Sequence, residues 1–159
     1  MNILVLGSGG REHTLAWKLK QSTRCEQIYI SPGNAGTSQI GTNVILPSFK
    51  EIGEFCVTNA IEMIVVGPEA PLVEGITDYI KSAEEFQNIK VIGPSKQGAQ
   101  LEGSKDFSKN FMNKYGVPTA KSQTFSAEEI DDAKKYIASF KPPIVLKADG
   151  LAAGKGVII

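Results

Sequence analysis

Two cysteines and one histidine are all this chain of 159 residues holds, and each scarcity removes a class of function. Cys25 and Cys56 stand apart, with no CxxC spacing and no histidine cluster near them, so a structural zinc site has no ligand set. Both read as reduced, partly buried small hydrophobes of a cytoplasmic protein. No apolar run approaches the length of a membrane span, and the start Ile3-Leu-Val-Leu6 is too short for the core of a signal peptide. Charge of either sign is not in excess: Lys+Arg and Asp+Glu both number 17. There is then no global field to draw nucleic acid or a membrane surface, and neither is expected as a partner. Any anion must be caught by a local arrangement.

What is present is an alternation of two periods. Short apolar runs at Asn2–Leu6, Gln27–Ser31, Val44–Leu46, Met63–Gly67 and Val91–Gly93 end in Gly, Pro or Ser, as buried strands do. Between them lie helix-like stretches. Glu12–Gln21 puts Leu15, Ala16 and Leu19 on one face, and Ser48–Asn59 opens with a capping-box pattern, Ser48-Phe-Lys-Glu51. A third helix is expected over Val73–Phe86. Strand and helix in alternation imply an α/β fold, a doubly wound parallel sheet covered on both faces, over about residues 1–93. A turn-rich connector, 94–102, follows. From 103 the pattern changes: helices over Gly103–Tyr115 and Ser126–Phe140, the second with Glu128, Glu129, Asp131 and Asp132 in its first turns, then a strand at Ile144–Ala148 and a glycine-rich loop. No internal repeat interrupts this order.

The first loop, Gly7-Ser-Gly-Gly-Arg-Glu-His13, joins the first strand to the first helix. Glycines there let backbone N–H groups approach an anion at the positive end of a helix. Two absences argue against a dinucleotide. The third glycine of that fingerprint is replaced by Glu12, and the second strand ends Tyr29-Ile-Ser-Pro-Gly33 without the acid that would hold a ribose hydroxyl. Arg11 offers a fork to a terminal phosphate monoester instead, so a small phosphorylated ligand is expected on Gly9, Gly10, Arg11 and Glu12. His13 either contacts that ligand or is merely structural.

Two more loops belong to the same crevice. Pro32-Gly-Asn-Ala-Gly36 follows the second strand, and Gly67-Pro-Glu-Ala-Pro71 the fourth. In doubly wound sheets, loops at the carboxyl ends of the strands line the crevice where strand order reverses. If strands one and four are neighbours, Glu69 faces the nest, where its carboxylate could accept both hydroxyls of a ribose. The bland reading is that Glu69 caps the helix after it. Asn34 is either a ligand contact or turn chemistry.

In the second part, Lys105 begins a helix and Lys147 ends a strand. A lysine on a buried strand is costly unless its ammonium reaches an anion, which makes Lys147 a candidate ligand contact. The loop Gly150-Leu-Ala-Ala-Gly-Lys-Gly156 is not a Walker A loop: Gly156 stands where a magnesium-binding Ser/Thr is needed, and a strand follows where a helix should. A glycine-rich hairpin with one central lysine suits a mobile cover over a triphosphate.

Taken in order, these residues resemble the N-terminal portion of the glycinamide ribonucleotide synthetase (phosphoribosylamine–glycine ligase) family of the ATP-grasp superfamily. The likeness runs through Gly7–His13, Pro32–Gly36, Val66–Leu72, Gly93–Lys96, Leu101–Lys105, Val117–Ala120 and Lys147–Val157. It implies a Rossmann-like pre-ATP-grasp domain over 1–93 and the start of an ATP-grasp domain over 103–159. It implies an ATP-dependent ligase of purine biosynthesis that joins phosphoribosylamine to glycine through a glycyl phosphate. On that resemblance the 7–13 loop, Asn34, Gly67, Pro68 and Glu69 hold the phosphoribosyl group. Lys105 and Lys147 contact the phosphates of ATP, and Gly150, Gly154, Lys155 and Gly156 close over them. The ligands of magnesium, the adenine clamp and the glycine pocket are expected beyond residue 159, and no catalytic or metal residue is assignable here.

The chain stops at Val157-Ile-Ile159, just into a strand, so it is expected to be an N-terminal fragment without turnover of its own. Other readings are an ATP-grasp ligase of another purine intermediate and a non-catalytic phosphoribosyl-binding module. A nicotinamide oxidoreductase is disfavoured by Glu12 and by the second glycine loop.

Overall fold

A computed structural model describes residues 1–152 and 155–159. The chain divides into two compact units, Met1–Ala99 and Gln100–Ile159.

The first unit is built on five parallel strands: β1 (Asn2–Gly7), β2 (Gln27–Pro32), β3 (Thr42–Asn43), β4 (Ile61–Val66) and β5 (Lys90–Ile92). Their order across the sheet is β3-β2-β1-β4-β5, every pairing parallel, so the chain leaves β1 in one direction and returns to its other side with β4. The doubly wound sheet expected from the alternating periods is the observed one. Alternate side chains face opposite layers, as the two-residue strand period requires. Ile3, Val5, Ile28, Ile30 and Val65 bury against Ala16 of α1 (Gly10–Lys20). Leu4, Leu6, Ile64 and Val66 bury on the other face, against Ile52 and Cys56 of α2 (Phe49–Thr58) and Ile76 and Ile80 of α4 (Ile76–Ser82). Burial pushes the Cys56 thiol up to about 12, which keeps it neutral, and among the described residues neither cysteine is paired. Ser48 caps α2, its hydroxyl accepting from the Glu51 N–H at 3.2 Å, as the Ser48–Glu51 spacing predicts.

Element boundaries differ from expectation in several places. The helix expected over Val73–Phe86 is two helices, α3 (Glu69–Glu74) and α4, broken at Gly75, whose φ of 106° is left-handed and ends the first. Starting at Glu69 is possible because Pro68 is extended and Pro71, in the first turn, needs no intrahelical N–H partner. The third strand lies at Thr42–Asn43, two residues early, although Val44 N–H still bonds Ile30 C=O at 2.9 Å. The segment expected as connector is helical over α5 (Lys96–Gly103), where the Asp78 carboxylate takes the Lys96 N–H at 2.5 Å and the Ser95 hydroxyl takes that of Gly98 at 3.2 Å.

The second unit holds α6 (Lys105–Lys114), a 3-10 turn at Ala127–Glu129 running into α7 (Ile130–Ala138), and an antiparallel pair, β6 (Leu146–Lys147) with β7 (Val157–Ile158). The helix expected over Gly103–Tyr115 begins at Lys105, because Ser104 is extended and its hydroxyl caps the Phe107 N–H at 3.1 Å. None of the buried apolar residues that form the two core layers lies in this unit; Phe107, Phe111, Val145 and Leu146 are all exposed. Among the described residues, no helix is long and apolar enough to cross a membrane.

Candidate functional site

The crevice at the carboxyl ends of β1, β2 and β4 gathers every first-unit residue that the sequence singles out. Strand β1 ends at Gly7, with φ 125°, and the chain turns through Ser8 to Gly9, the extended residue before α1. Without a side chain at Gly9, the usual cap is missing. Glu12 supplies the other half of a capping box from inside the helix: the Gly9 N–H donates to Glu12 Oε2 at 2.7 Å. The other oxygen, Oε1, accepts from Arg11 Nε at 3.0 Å. Glu12 is 4% exposed, wedged where Gly7 and Gly67 both lack a side chain; a Cβ on either would overlap its Cγ.

Burial alone would raise the pKa of Glu12. The Arg11 guanidinium and the Gly9 amide outweigh it, holding the carboxyl below the ordinary carboxylate range. The same bond raises the pKa of Arg11. Beyond Glu12, Arg11 reaches across the crevice, its Nη2 3.5 Å from Glu69 Oε2. Strands β1 and β4 are neighbours, so Glu69 does face the first loop. It is also the first residue of α3, where a carboxylate suits the helix dipole.

The remaining positions are placed as follows. Gly10 opens α1, and a Cβ built there would meet nothing within 4 Å. The half-buried His13 ring packs against Gly36, as does Asn34 Oδ1. Asn34 is largely consumed by structure: Oδ1 accepts from the N–H of Gly36 at 2.8 Å and of Thr37 at 3.0 Å, and Nδ2 donates to the Ser8 carbonyl at 2.8 Å. It thus ties the second loop to the first. Its fully buried partner Thr37, which also bonds Asn43 Oδ1 at 2.8 Å, escaped the sequence reading, although the Asn34-x-x-Thr37 spacing is a turn signal. Pro68 and Gly7 border a cavity of about 200 Å³ with Leu6, Ser31, Ser48 and Glu74. That is below the roughly 300–1,000 Å³ of sites for drug-sized ligands.

In the second unit the candidate residues meet at the start of α6. Asp149, which the sequence offers no reason to connect with Ser104 across 45 positions, binds that helix end. Its Oδ2 accepts from Ser104 Oγ at 3.0 Å and its Oδ1 from the N–H of Lys105 at 2.5 Å and of Asp106 at 3.4 Å. Lys105 Nζ in turn donates to the Gly150 carbonyl at 2.9 Å. Gly150, with φ 85°, turns the chain away from the helix. The argument that placed Lys147 on a buried strand is corrected: both residues of β6 are exposed, because nothing among the described residues covers the two-stranded sheet. Its ammonium therefore carries no burial cost. Lys155 is exposed, its N–H bonded to the Ala152 carbonyl at 2.8 Å, and the Gly156 carbonyl accepts from the Ala148 N–H at 2.8 Å. Gly154 lies outside the described residues.

Replacing Asp149 by alanine is expected to loosen the first turn of α6 by about 1–2 kcal/mol, the worth of an exposed helix cap. Amide exchange at Lys105 and Asp106 reads it, and protection equal to wild type would show the cap to be idle. Burial would raise the Asp149 pKa, but the amides of Lys105 and Gly150 and the Ser104 hydroxyl lower it overall. A depressed folded value gives stability above the unfolded pKa that is lost as pH falls through the folded one. Wild-type protection at Lys105 should therefore fade on acidification below about pH 4, and that of Asp149→Ala should not.

Comparison with known proteins adds a second line. The family "Phosphoribosylglycinamide synthetase, N domain" matches residues 1–102, and "Phosphoribosylglycinamide synthetase, ATP-grasp (A) domain" matches 103–159. The phosphoribosylamine–glycine ligases of Clostridium acetobutylicum and of Neisseria meningitidis serogroup B are each 51% identical over 161 residues, covering all of this chain and 37% of theirs. The crystal structure of phosphoribosylamine–glycine ligase from Thermotoga maritima superposes with a TM-score of 0.72 at 37% identity, over 99% of this chain and 35% of that one. An ADP complex of N5-carboxyaminoimidazole ribonucleotide synthetase gives 0.73 at 16% identity over 99% of this chain and 40% of that one, a likeness of fold alone. The chain spans a little over a third of the curated relatives it matches.

Proposed function

The chain belongs to the phosphoribosylglycinamide synthetase family, and from that we propose that it carries the ribonucleotide site and part of the ATP site of a phosphoribosylamine–glycine ligase. Residues 1–93 form the substrate-binding domain, and 94–102 join it to the beginning of the ATP-grasp domain, 103–159. The observation that carries this reading is the meeting of Gly10, Arg11 and Glu69 at one crevice of a chain that both families match along its length.

In the proposed reaction the glycine carboxylate attacks the terminal phosphorus of ATP, giving glycyl phosphate and ADP. The amine of phosphoribosylamine then attacks the acyl carbon, phosphate leaves, and a proton is lost from nitrogen as the amide forms. The N–H groups of Gly10 and Arg11, at the helix start, and the Arg11 fork hold the 5-phosphate. That phosphate displaces Glu69 from Arg11, which costs little because both side chains are exposed to water. Glu69 is thereby freed to accept the ribose hydroxyls.

Lys105, Lys147 and Lys155 supply positive charge to the phosphates of ATP, where preorganised cations stabilise the transferring group. Lys105 is held ready on a neutral carbonyl, which an anionic phosphate oxygen outcompetes. Among the described residues no group of three or more His, Cys, Asp or Glu could hold a metal ion, and the nearest acid, Asp149, is engaged as a cap. The residues present do not fit a magnesium site, and no step here runs through one.

Calorimetric titration of the chain with glycinamide ribonucleotide, and separately with NAD, tests the reading. Heat with the ribonucleotide alone is expected. Heat with NAD alone would make the first unit a dinucleotide binder, and silence from both would remove the phosphoribosyl group from this crevice.

A further inference from the structure

A buried carboxylate in the middle of an anion nest needs a reason, and Glu12 is such a group. It stands three residues after Gly9, where the dinucleotide fingerprint has a glycine for close approach of helix and strand. In that fingerprint the backbone of the second glycine lies against the pyrophosphate. Here the corresponding amide, that of Gly9, is already bonded at 2.7 Å by the protein's own anion. The stem of Glu12 fills the gap between the ends of β1 and β4, where Gly7 and Gly67 leave room for it.

What stays open is the front of the nest. Gly10 and Arg11 are the first two residues of α1, so their N–H groups have no carbonyl four residues back to bond. A Cβ built on Gly10 would meet nothing within 4 Å, and the guanidinium of the next residue, Arg11, is held between Glu12 and Glu69. Of the two carboxylates that hold Arg11, Glu12 lies at 3.0 Å with its side chain 5% exposed, while Glu69 lies at 3.5 Å with its side chain 38% exposed. An incoming phosphate can therefore trade places with Glu69 and cannot trade places with Glu12. A terminal phosphate needs only the front. A phosphate bridging two groups needs the chain to continue inward, where Glu12 lies.

We propose that Glu12 determines the specificity of this crevice, as an internal hydrogen-bond acceptor that fills the innermost position of the nest and restricts the ligand to a terminal phosphate group. The proposal rests on the phosphoribosyl reading above and names the residue that selects for it. Glu12 does not touch the ligand; it occupies the donor that a bridging pyrophosphate would use and fixes Arg11 at the mouth.

The test is residue-resolved. The ¹⁵N-labelled chain is titrated with inorganic phosphate and with pyrophosphate, and the amide resonances of Gly9, Gly10 and Arg11 are followed. In the wild type, phosphate is expected to shift Gly10 and Arg11 and leave Gly9 still. In Glu12→Ala, with the Leu4 and Ile64 resonances in place as evidence of folding, Gly9 should respond. Pyrophosphate affinity relative to phosphate should then rise about tenfold, the worth of one charge-assisted hydrogen bond. Glu12→Gln, which keeps the volume and an acceptor for Gly9, should hold that ratio near the wild-type value.

A wild-type Gly9 that moves together with Gly10 overturns the proposal by itself, whether or not the alanine variant folds. So does an unchanged ratio in folded Glu12→Ala, or a glutamine variant that behaves like the alanine one. Gly10 and Arg11 both silent to phosphate in the wild type would instead sink the phosphoribosyl reading, and this proposal with it.

Discussion

Gly7→Ala is expected to destabilise the first unit by about 2–5 kcal/mol, a large part of the 5–15 kcal/mol that holds an ordinary domain together. Two costs add. Gly7 has φ 125°, a region in which a Cβ meets the following carbonyl, and moving out of it would turn the β1 end away from the nest. The added methyl would also overlap Glu12 Cγ, and a packed interior resists an extra carbon by about 1–3 kcal/mol. Glu12 has no free direction to yield, because Gly67 confines it from the β4 side in the same way. The variant should lose stability and anion binding together. Gly10→Ala is the control: its φ is helical, its Cβ meets nothing within 4 Å, and alanine in a helix is favoured by up to about 1 kcal/mol. Urea unfolding followed by circular dichroism separates them. Equal midpoints for Gly7→Ala and wild type would mean the loop relaxes freely and Glu12 is not wedged.

How much of this was legible in the sequence depends on the range of the interaction concerned. Strand positions were legible because burial on both faces leaves continuous apolar runs such as Ile3–Leu6 and Ile64–Val66, and the α2 cap because Ser48 and Glu51 lie within one turn. The crevice was legible through the sheet rule that loops at the strand ends converge once β1 and β4 adjoin. The identity of Glu12 counts against a dinucleotide on sequence alone, but its burial is not visible there. A glutamate reads as exposed until Gly7 and Gly67 are seen to make room for it from two different strands. The break at Gly75 was missed because apolar periodicity continues across it through Ile76 and Ile80. Asp149 was illegible for a simpler reason: its partners lie more than forty residues earlier, and no local pattern marks a cap supplied from elsewhere in the chain. Lys147 misled because apolar neighbours suggested burial, while among the described residues the sheet it ends has two strands and both residues of β6 are exposed.

Arg11→Ala is expected to weaken binding of glycinamide ribonucleotide by about 10- to 150-fold, the loss of roughly 1.5–3 kcal/mol in hydrogen bonds to a charged group. The same change should alter the pH dependence of stability. In the wild type Glu12 has a depressed pKa, so its contribution is present above the unfolded value, about 4.3, and is lost only as pH falls through the lower folded value. Without Arg11, burial remains the largest influence on Glu12 and pushes its pKa upward, opposed by the amides of Gly9 and of Glu12 itself. Thermal stability of the variant should therefore begin to fall at a higher pH than that of the wild type. Arg11→Lys separates charge from shape. Nε serves Glu12 while Nη2 serves Glu69, and a single ammonium cannot reproduce both contacts of that fork, so affinity should be only partly restored. Glu69→Gln completes the set: it frees Arg11, so inorganic phosphate should bind at least as well as to wild type, while the ribonucleotide, deprived of a carboxylate for its hydroxyls, should bind less well. If phosphate and ribonucleotide respond alike to Glu69→Gln, the two carboxylates do not divide the work, and Arg11 and Glu69 are a surface ion pair with no part in the site.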